Sequence, residues 1–469
     1  MRSETGAAVT VASAATFLVL VAFTTPLATL PVTASALGSG PGGQAWILSS
    51  MSIGLAVALL SGGAIADDLG RRRALVLGSL VLAASSVVCA VAPTTAVLTA
   101  GRIGSGVGGA ALIAAGLGLI GHVVPAGGPE ARRASGIWGA SLGAGIAAGP
   151  LLATGAQKLA GWASVYWLEA GLAVVLAVAA RLLLQESRAE QPRRIDGPGV
   201  VLLATGVAVL LTGLVEARGG PGRPLVVGLV LGGLALLGVW LLVEHRLASP
   251  MLDPALLRSP RFLAATLGAF ATGAGIIATS SFLLTVMSRG LGASEVVAAV
   301  VLLAWSATGV VTSLLARLIP VSVSARAQLG GGLVVVAAGQ LLLLGATPDS
   351  SPWRYVPGLL VAGVTSGVVN SALGREAVAS VPAGRAAMGS GANNTARYVG
   401  SAIGTTVVAI IATRPGLPAG PAGLLRGFDS AVLVATAFSV LGAIGVFACR
   451  PRTATRRARA ARPEPDARP

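Results

Sequence analysis

The chain has 469 residues, 54% hydrophobic and 11% charged, with a formal net charge of +16. A soluble domain carries roughly 25% charged residues, so most of this chain has no water to face. The charge does not mark a nucleic-acid binder, because the basic residues sit in short loops between apolar runs and not on one soluble face.

Taken in order, the apolar runs predict fourteen membrane-crossing segments near 9–36, 46–66, 74–91, 97–123, 136–154, 165–184, 199–215, 225–243, 262–287, 294–318, 327–346, 355–378, 388–413 and 430–448. Lipid forbids open backbone, so all are expected to be helical, giving an all-α polytopic membrane protein. Pro26 and Pro31 interrupt the first run and predict a bend. With both termini on one side, about 24 of the 33 basic residues fall on that side and about 7 on the other, which places the termini in the cytoplasm. The polar start, Met1 to Gly6, leads into a run long enough to cross, so no cleaved signal peptide is expected. The arginine- and proline-rich tail, 450–469, is expected to be disordered.

The second run ends in Gly63-Ala64-Ile65-Ala66-Asp67-Asp68-Leu69-Gly70-Arg71-Arg72-Arg73. Gly63 leaves room for a neighbouring helix. Asp67 and Arg71 are four apart with the acid first, the better order for a helical ion pair. Gly70 suits a left-handed helix stop. Arg102 lies within the fourth run, ahead of Gly104-Ser105-Gly106-Val107-Gly108-Gly109. No strand precedes that G-x-G-x-x-G, so it reads as helix packing and not as a dinucleotide site. No G-x-x-x-x-G-K-[ST] exists, so the chain carries no P-loop ATP motor. Gly145, Gly149 and Pro150 give the fifth run a flat, kinked face. Glu169 and Arg397 are charges inside the sixth and thirteenth runs, and such residues are functional candidates by default. Thr279, Ser280 and Trp305 are candidate cavity lining. Val124-Pro125-Ala126-Gly127 and Val381-Pro382-Ala383-Gly384 are similar loops eight runs apart, as two repeated halves would produce. The two cysteines and two histidines have no metal or disulfide spacing.

Three motifs carry a resemblance. Gly63 to Arg72 is similar to G-x-x-x-D-x-x-G-R-[RK]; Leu98-x-x-x-Arg102-x-x-Ser105-Gly106 is similar to L-x-x-x-R-x-x-Q-G, with serine for glutamine; Gly145-x-x-x-Gly149-Pro150 is similar to G-x-x-x-G-P-x-x-G-G, with Ala153-Thr154 for the last glycines. With Leu30-Pro31, Trp46, Gly136-Ile137-Trp138-Gly139, Gly161-Trp162, Leu214-Val215-Glu216 and Asn394-Thr395-Ala396-Arg397 in order, the chain resembles the fourteen-helix drug:proton antiporter branch of the major facilitator superfamily.

The resemblance implies a six-helix bundle over 1–184, two inserted helices within 185–260, a second bundle over 261–449, and a basic cytoplasmic tail, 450–469. Gly63, Asp67, Gly70, Arg71 and Arg72 would form a conformational-switch loop. Arg102 and Arg397 would serve coupling or the cavity, the latter by binding an anionic group or closing a gate. Gly145, Gly149 and Pro150 would mark an exporter. The cavity is expected between helices 1, 2, 4 and 5 and their counterparts. The implied activity is secondary active export of lipophilic drugs, antibiotics or other small metabolites by alternating access, in exchange for protons. No cofactor, metal or nucleic acid is expected, and no enzymatic constellation is present. Such a protein works in a bacterial inner membrane, as a monomer, with a small-molecule substrate, protons and the lipid bilayer as its partners.

Two departures bear on mechanism. Ala22 and Leu27 replace an acid and an asparagine of the first helix, and His122 replaces an aspartate. Glu169, where relatives carry asparagine, is the candidate replacement proton site, paired with Arg102. Plainer readings stay open: Arg102 as a snorkelling anchor, Glu169 wetted at an interface, the glycines as packing alone. So do an uncoupled exporter of a specific neutral or anionic metabolite, and a membrane sensor or assembly partner that does not transport.

Overall fold

The computed structural model describes residues 2–125, 128–190, 196–247 and 250–450, and among these every regular element is a helix. The tail after Arg450, part of the first repeated loop (126–127) and part of the basic stretch 188–194 lie outside the described residues.

Among the described residues, thirteen helices are long and apolar enough to cross a membrane. The eleventh expected crossing is α13, Ala325–Leu341, which has 17 residues. At 1.5 Å per residue it reaches about 26 Å, and it ends early because Leu342 and Leu343 form a turn. It still packs against α14 (Val356–Ala379) and α16 (Pro421–Ala448). Helix starts follow sequence chemistry. Proline opens α3 (Pro41–Leu69), α6 (Pro129–Ala160) and α9 (Pro224–Arg246), where its missing N–H costs nothing. Thr94 accepts the Val97 amide to cap α5 (Thr95–Val123), and Ser294 accepts the Val297 amide to cap α12 (Glu295–Leu315).

The bend expected at Pro26 interrupts the helix for one residue. α1 (Arg2–Thr24) ends two residues before it and α2 (Pro26–Ala36) starts on it, with Thr25 between them still at helical dihedrals. Proline has no amide hydrogen to give the carbonyl four residues back, so Ala22 loses its helical partner there.

Within the first half, α3 and α4 (Arg71–Ala90) pack on α5, while α1 packs on α5 and α6, and α7 (Ser164–Leu183) on α4. In the second half, α10 (Pro260–Thr272) runs through a π turn, Gly273–Ile277, into α11 (Ala278–Thr285) and packs with α14, α15 (Ala386–Ala412) and α16. The halves meet through α3 with α15 and α6 with α12, and also through α5 with α15 and α6 with α14. The inserted helix α8 (Gly197–Glu216) leans on both α3 and α15. Trp46 Nε1 donates to Glu216 Oε1 at 2.9 Å, and Thr406 Oγ1 donates to the Leu214 carbonyl at 3.1 Å, tying α8 to both partners. α9 is held mainly by α8 and buries few side chains, so its leucines face outward as a lipid-facing helix requires.

Candidate functional site

At one end of the bundle the halves are clasped. Arg71 Nε and Nη2 donate to Asp67 Oδ1 at 3.0 and 2.6 Å, the ion pair that the four-residue spacing predicts. Asp67 also reaches across to α15, where its carboxylate accepts the Ala387 amide at 3.2 Å and the Met388 amide at 2.8 Å. These are the second and third residues of α15, whose own N-cap, Arg385, offers no capping side chain. A carboxylate from the first half thus satisfies orphan amides of a second-half helix, where the helix dipole favours negative charge. Arg71 Nη2 adds a bond to the Gly384 carbonyl at 2.8 Å, and Asp68 pairs with Arg385 at 2.6 Å. Gly63 is obligatory here, since a Cβ would overlap the Ala387 carbonyl.

Gly70 corrects an expectation. Its backbone is at φ 123°, ψ 131°, more extended than a left-handed helix stop, because α4 restarts at the next residue. A side chain at Gly70 would strike the Glu186 carboxylate. Glu186 accepts the Arg72 amide at 3.0 Å, capping α4 from outside, and lies 3.5 Å from Arg73 Nε. Arg72 reaches back through Nη1 to the Leu184 carbonyl at 3.4 Å. The chain around Glu186 straps the loop through Arg71 N to Ser187 O at 2.9 Å and Ala189 N to Asp67 O at 2.7 Å. Sequence reasoning missed Glu186; the same connection carries Glu190 and Asp196, so no signal in the sequence singled it out.

The break between α1 and α2 is held from behind. Arg102, 1% exposed, donates to the carbonyls of Ile47 at 3.0 Å, Ala22 at 3.2 Å and Phe23 at 3.5 Å. It is therefore no snorkelling anchor; its fork serves carbonyls that Pro26 leaves open. Glu169, 2% exposed, accepts from Thr25 Oγ1 at 2.6 Å and is not wetted. Arg102 and Glu169 form no ion pair with one another among the described residues; each grips the break separately. Gly145 and Gly149 accept α1 just before the break, Gly149 lying against the Thr24 hydroxyl and the Val21 carbonyl.

In front of the break lies a cavity of about 770 Å³ between the halves, lined from α1, α2, α6, α11 and α12, with Gln44 of α3 at its edge. Its mouth, at the end opposite Asp67, carries Gly38, Ser39, Ser288 and Arg289. Phe23 lines it and meets Tyr398 of α15 edge to face, ring centroids 5.7 Å apart, a contact between the halves. The candidate lining residues Ser280 and Trp305 border it, Pro150 does too, and the Trp305 indole donates to Ser366 Oγ at 3.0 Å. Two expectations are corrected. The fourth helix, α5, contributes no lining residue, because the broken first helix stands between it and the cavity. Thr279 is not lining either: one helical position from Ser280 turns it to the back face, where Gln340 Nε2 donates to it at 3.1 Å. Arg397 is 4% exposed, outside the cavity, and its Nε and Nη2 have no hydrogen-bond partner among the described residues. His122 is exposed and near enough to Arg71 to feel its charge, but it donates no hydrogen bond to the clasp among the described residues.

A membrane-crossing helical body with two halves clasped at one end, and a cavity between them open at the other, is the architecture of a secondary transporter. The sequence pattern of the Major Facilitator Superfamily matches residues 12–405, and the chain belongs to that superfamily, among transporters and not enzymes. It is 33% identical to the probable actinorhodin transporter of Streptomyces coelicolor, over 77% of this chain and 64% of that protein. It is 31% identical to the multidrug resistance protein Stp of Mycobacterium tuberculosis, over 81% of this chain and 70% of that one. It is 30% identical to the puromycin resistance protein pur8 of Streptomyces alboniger, over 85% and 80%. In fold it is similar to the human organic anion transporter MFSD10 (TM-score 0.66, 18% identity, 94% of this chain and 99% of that one). It is likewise similar to the proton:xylose symporter XylE (TM-score 0.65, 14% identity, 95% and 96%).

Proposed function

We propose that this facilitator exports lipophilic drugs, antibiotics or related small metabolites by alternating access, in exchange for protons, as a member of the fourteen-helix drug:proton antiporter branch. The observation that carries the reading is the pairing of a closed clasp at Asp67 with a cavity whose lining reaches the other end, at Gly38, Ser39, Ser288 and Arg289. The similar efflux and resistance proteins support the direction of transport. The arginine bias supports a cytoplasmic Asp67 end and cytoplasmic termini, and we read this as an outward-facing state of a monomer working in a bacterial inner membrane. Residues 1–184 and 261–449 would move as the two rocking bundles, with the inserted helices of 185–260 between them. Gly63, Asp67, Gly70, Arg71 and Arg72 are the switch, and Arg397, with its free donors, is a gate residue between α15 and the first half.

Glu169 is the proton site. The Thr25 hydroxyl lies 2.6 Å from Glu169 Oε1 and 3.0 Å from the Val21 carbonyl, and it has one hydrogen to give. With Glu169 ionised, the hydrogen goes to the carboxylate. With Glu169 protonated, the acid donates to Thr25, whose hydrogen turns to Val21 of the same helix. Thr24, the neighbouring residue, lines the cavity, so proton uptake behind the break alters the helix that substrate touches in front.

The test is efflux of a dye panel from vesicles under an imposed pH gradient. Gradient-driven efflux is expected. Efflux indifferent to pH contradicts proton coupling and favours the uncoupled exporter, and absence of flux across the panel contradicts transport.

A further inference from the structure

The cavity lining has an uneven charge chemistry. Ser280, Ser281, Leu284 and Thr285 of α11, and Ser288 and Arg289 of the π turn that continues it (Val286–Gly290), all line the cavity. Ser281 and Ser288 donate to their own helix, at Ile277 O (2.8 Å) and Thr285 O (3.3 Å), which leaves oxygen lone pairs facing inward. Ser280 Oγ is different: the residue is 5% exposed and its hydroxyl has no partner among the described residues, so it is a free donor on the cavity wall. Arg289, at the mouth, is exposed and in no ion pair among the described residues. No aspartate or glutamate among the described residues lines the cavity. The nearby buried acid, Glu169, is turned away behind the α1–α2 break and bonded to Thr25.

A desolvated charge needs a partner. A cation entering here meets hydroxyls and apolar side chains, with the one fixed charge, Arg289, repelling it. An organic anion meets a guanidinium, which binds carboxylate and phenolate oxygens well. Arg289 follows Ser280 by nine positions, at most about 13 Å along the axis at α-helical rise, since the π turn rises less per residue.

We infer that this cavity selects amphipathic organic anions and excludes permanent cations: the anionic group sits at Arg289, an apolar body spans the cavity, and a hydrogen-bond acceptor at most about 13 Å away takes the Ser280 hydroxyl. This rests on the reading of the cavity as the transport site and narrows its substrate class.

The test uses the full chain in liposomes with two dyes that share a xanthene core, anionic fluorescein and cationic rhodamine 123. Fluorescein is exported and rhodamine 123 is not. Arg289→Gln slows fluorescein about tenfold, the scale of one hydrogen bond to a charged group. Arg289→Glu abolishes it. Because Arg289 is at the exposed mouth, neither change disturbs folding, and Ser280→Ala, measured by fluorescein polarisation with the protein in nanodiscs, weakens binding several-fold. Export of rhodamine 123 at or above the fluorescein rate overturns the selectivity while leaving the transport reading intact, as does full fluorescein flux in Arg289→Gln. No movement of either dye overturns the inference; if the wider compound panel also shows no flux, the transport reading falls with it.

Discussion

Arg102 donates to the carbonyl oxygen of Ala22 at 3.2 Å, taking the bond that Pro26 cannot supply. The residue that departs from the family's acid is thus still bound to the arginine, through its backbone. Arg102→Gln removes charged donors from three buried carbonyls, at Ile47, Ala22 and Phe23. Bonds from a charged donor contribute about 1.5–3 kcal/mol each. The variant should melt several degrees lower in detergent and lose most export. Arg102→Lys should rescue little, since a point ammonium cannot fork to separate carbonyls. Wild-type melting in either variant would contradict the role assigned to Arg102.

Asp67→Asn leaves Arg71 buried without its counter-charge and weakens the cap on α15. Breaking a buried pair costs about 3–5 kcal/mol. The closed clasp should therefore lose population. Maleimide labelling of Met388→Cys, buried beneath Asp67, should quicken at least about tenfold in the Asp67→Asn background, the ratio that 1.4 kcal/mol gives.

Much of this arrangement is legible in the sequence, and the illegible parts share a cause. The Asp67–Arg71 pair, the break at Pro26 and the burial of Gly63 follow from spacing and residue type, which local geometry controls. Backbone acceptors leave no mark in a sequence, so the Ala22 and Phe23 carbonyls that fix Arg102 could not be read. Nor could the Ala387 and Met388 amides that make Asp67 a cap for a helix more than 300 residues away. Thr279 was misplaced by helical phase: in a rod buried on several sides, apolar periodicity does not say which face meets the cavity. Glu186 acts only through tertiary contact with a helix start that belongs to another segment.

Gly149 lies against the Thr24 hydroxyl and the Val21 carbonyl. Gly149→Val inserts three carbons where one does not fit, and overpacking costs about 1–3 kcal/mol. Because the strain falls on the last turn of α1, transport should drop more than expression does; a ratio of transport to folded protein equal to wild type would contradict this.

Glu169→Gln keeps an acceptor for Thr25 and removes the exchangeable charge. Export down a substrate gradient should persist, while stimulation by an imposed pH gradient should vanish. Unchanged stimulation would retire Glu169 as the proton site. Thr25→Val should reduce the same stimulation, because it deletes the hydroxyl bonded to Glu169.

The measurement that bears most directly on alternating access is a pair of spin-label distances in nanodiscs, one across each end. One reports α3 to α15 near Asp67 and the other α2 to α11 near Ser39 and Ser288. Asp67→Asn should lengthen the first and shorten the second together, converting the state seen here into its mirror. Distances that change at one end alone, or at neither while export continues, would contradict the rocking of two halves about the cavity.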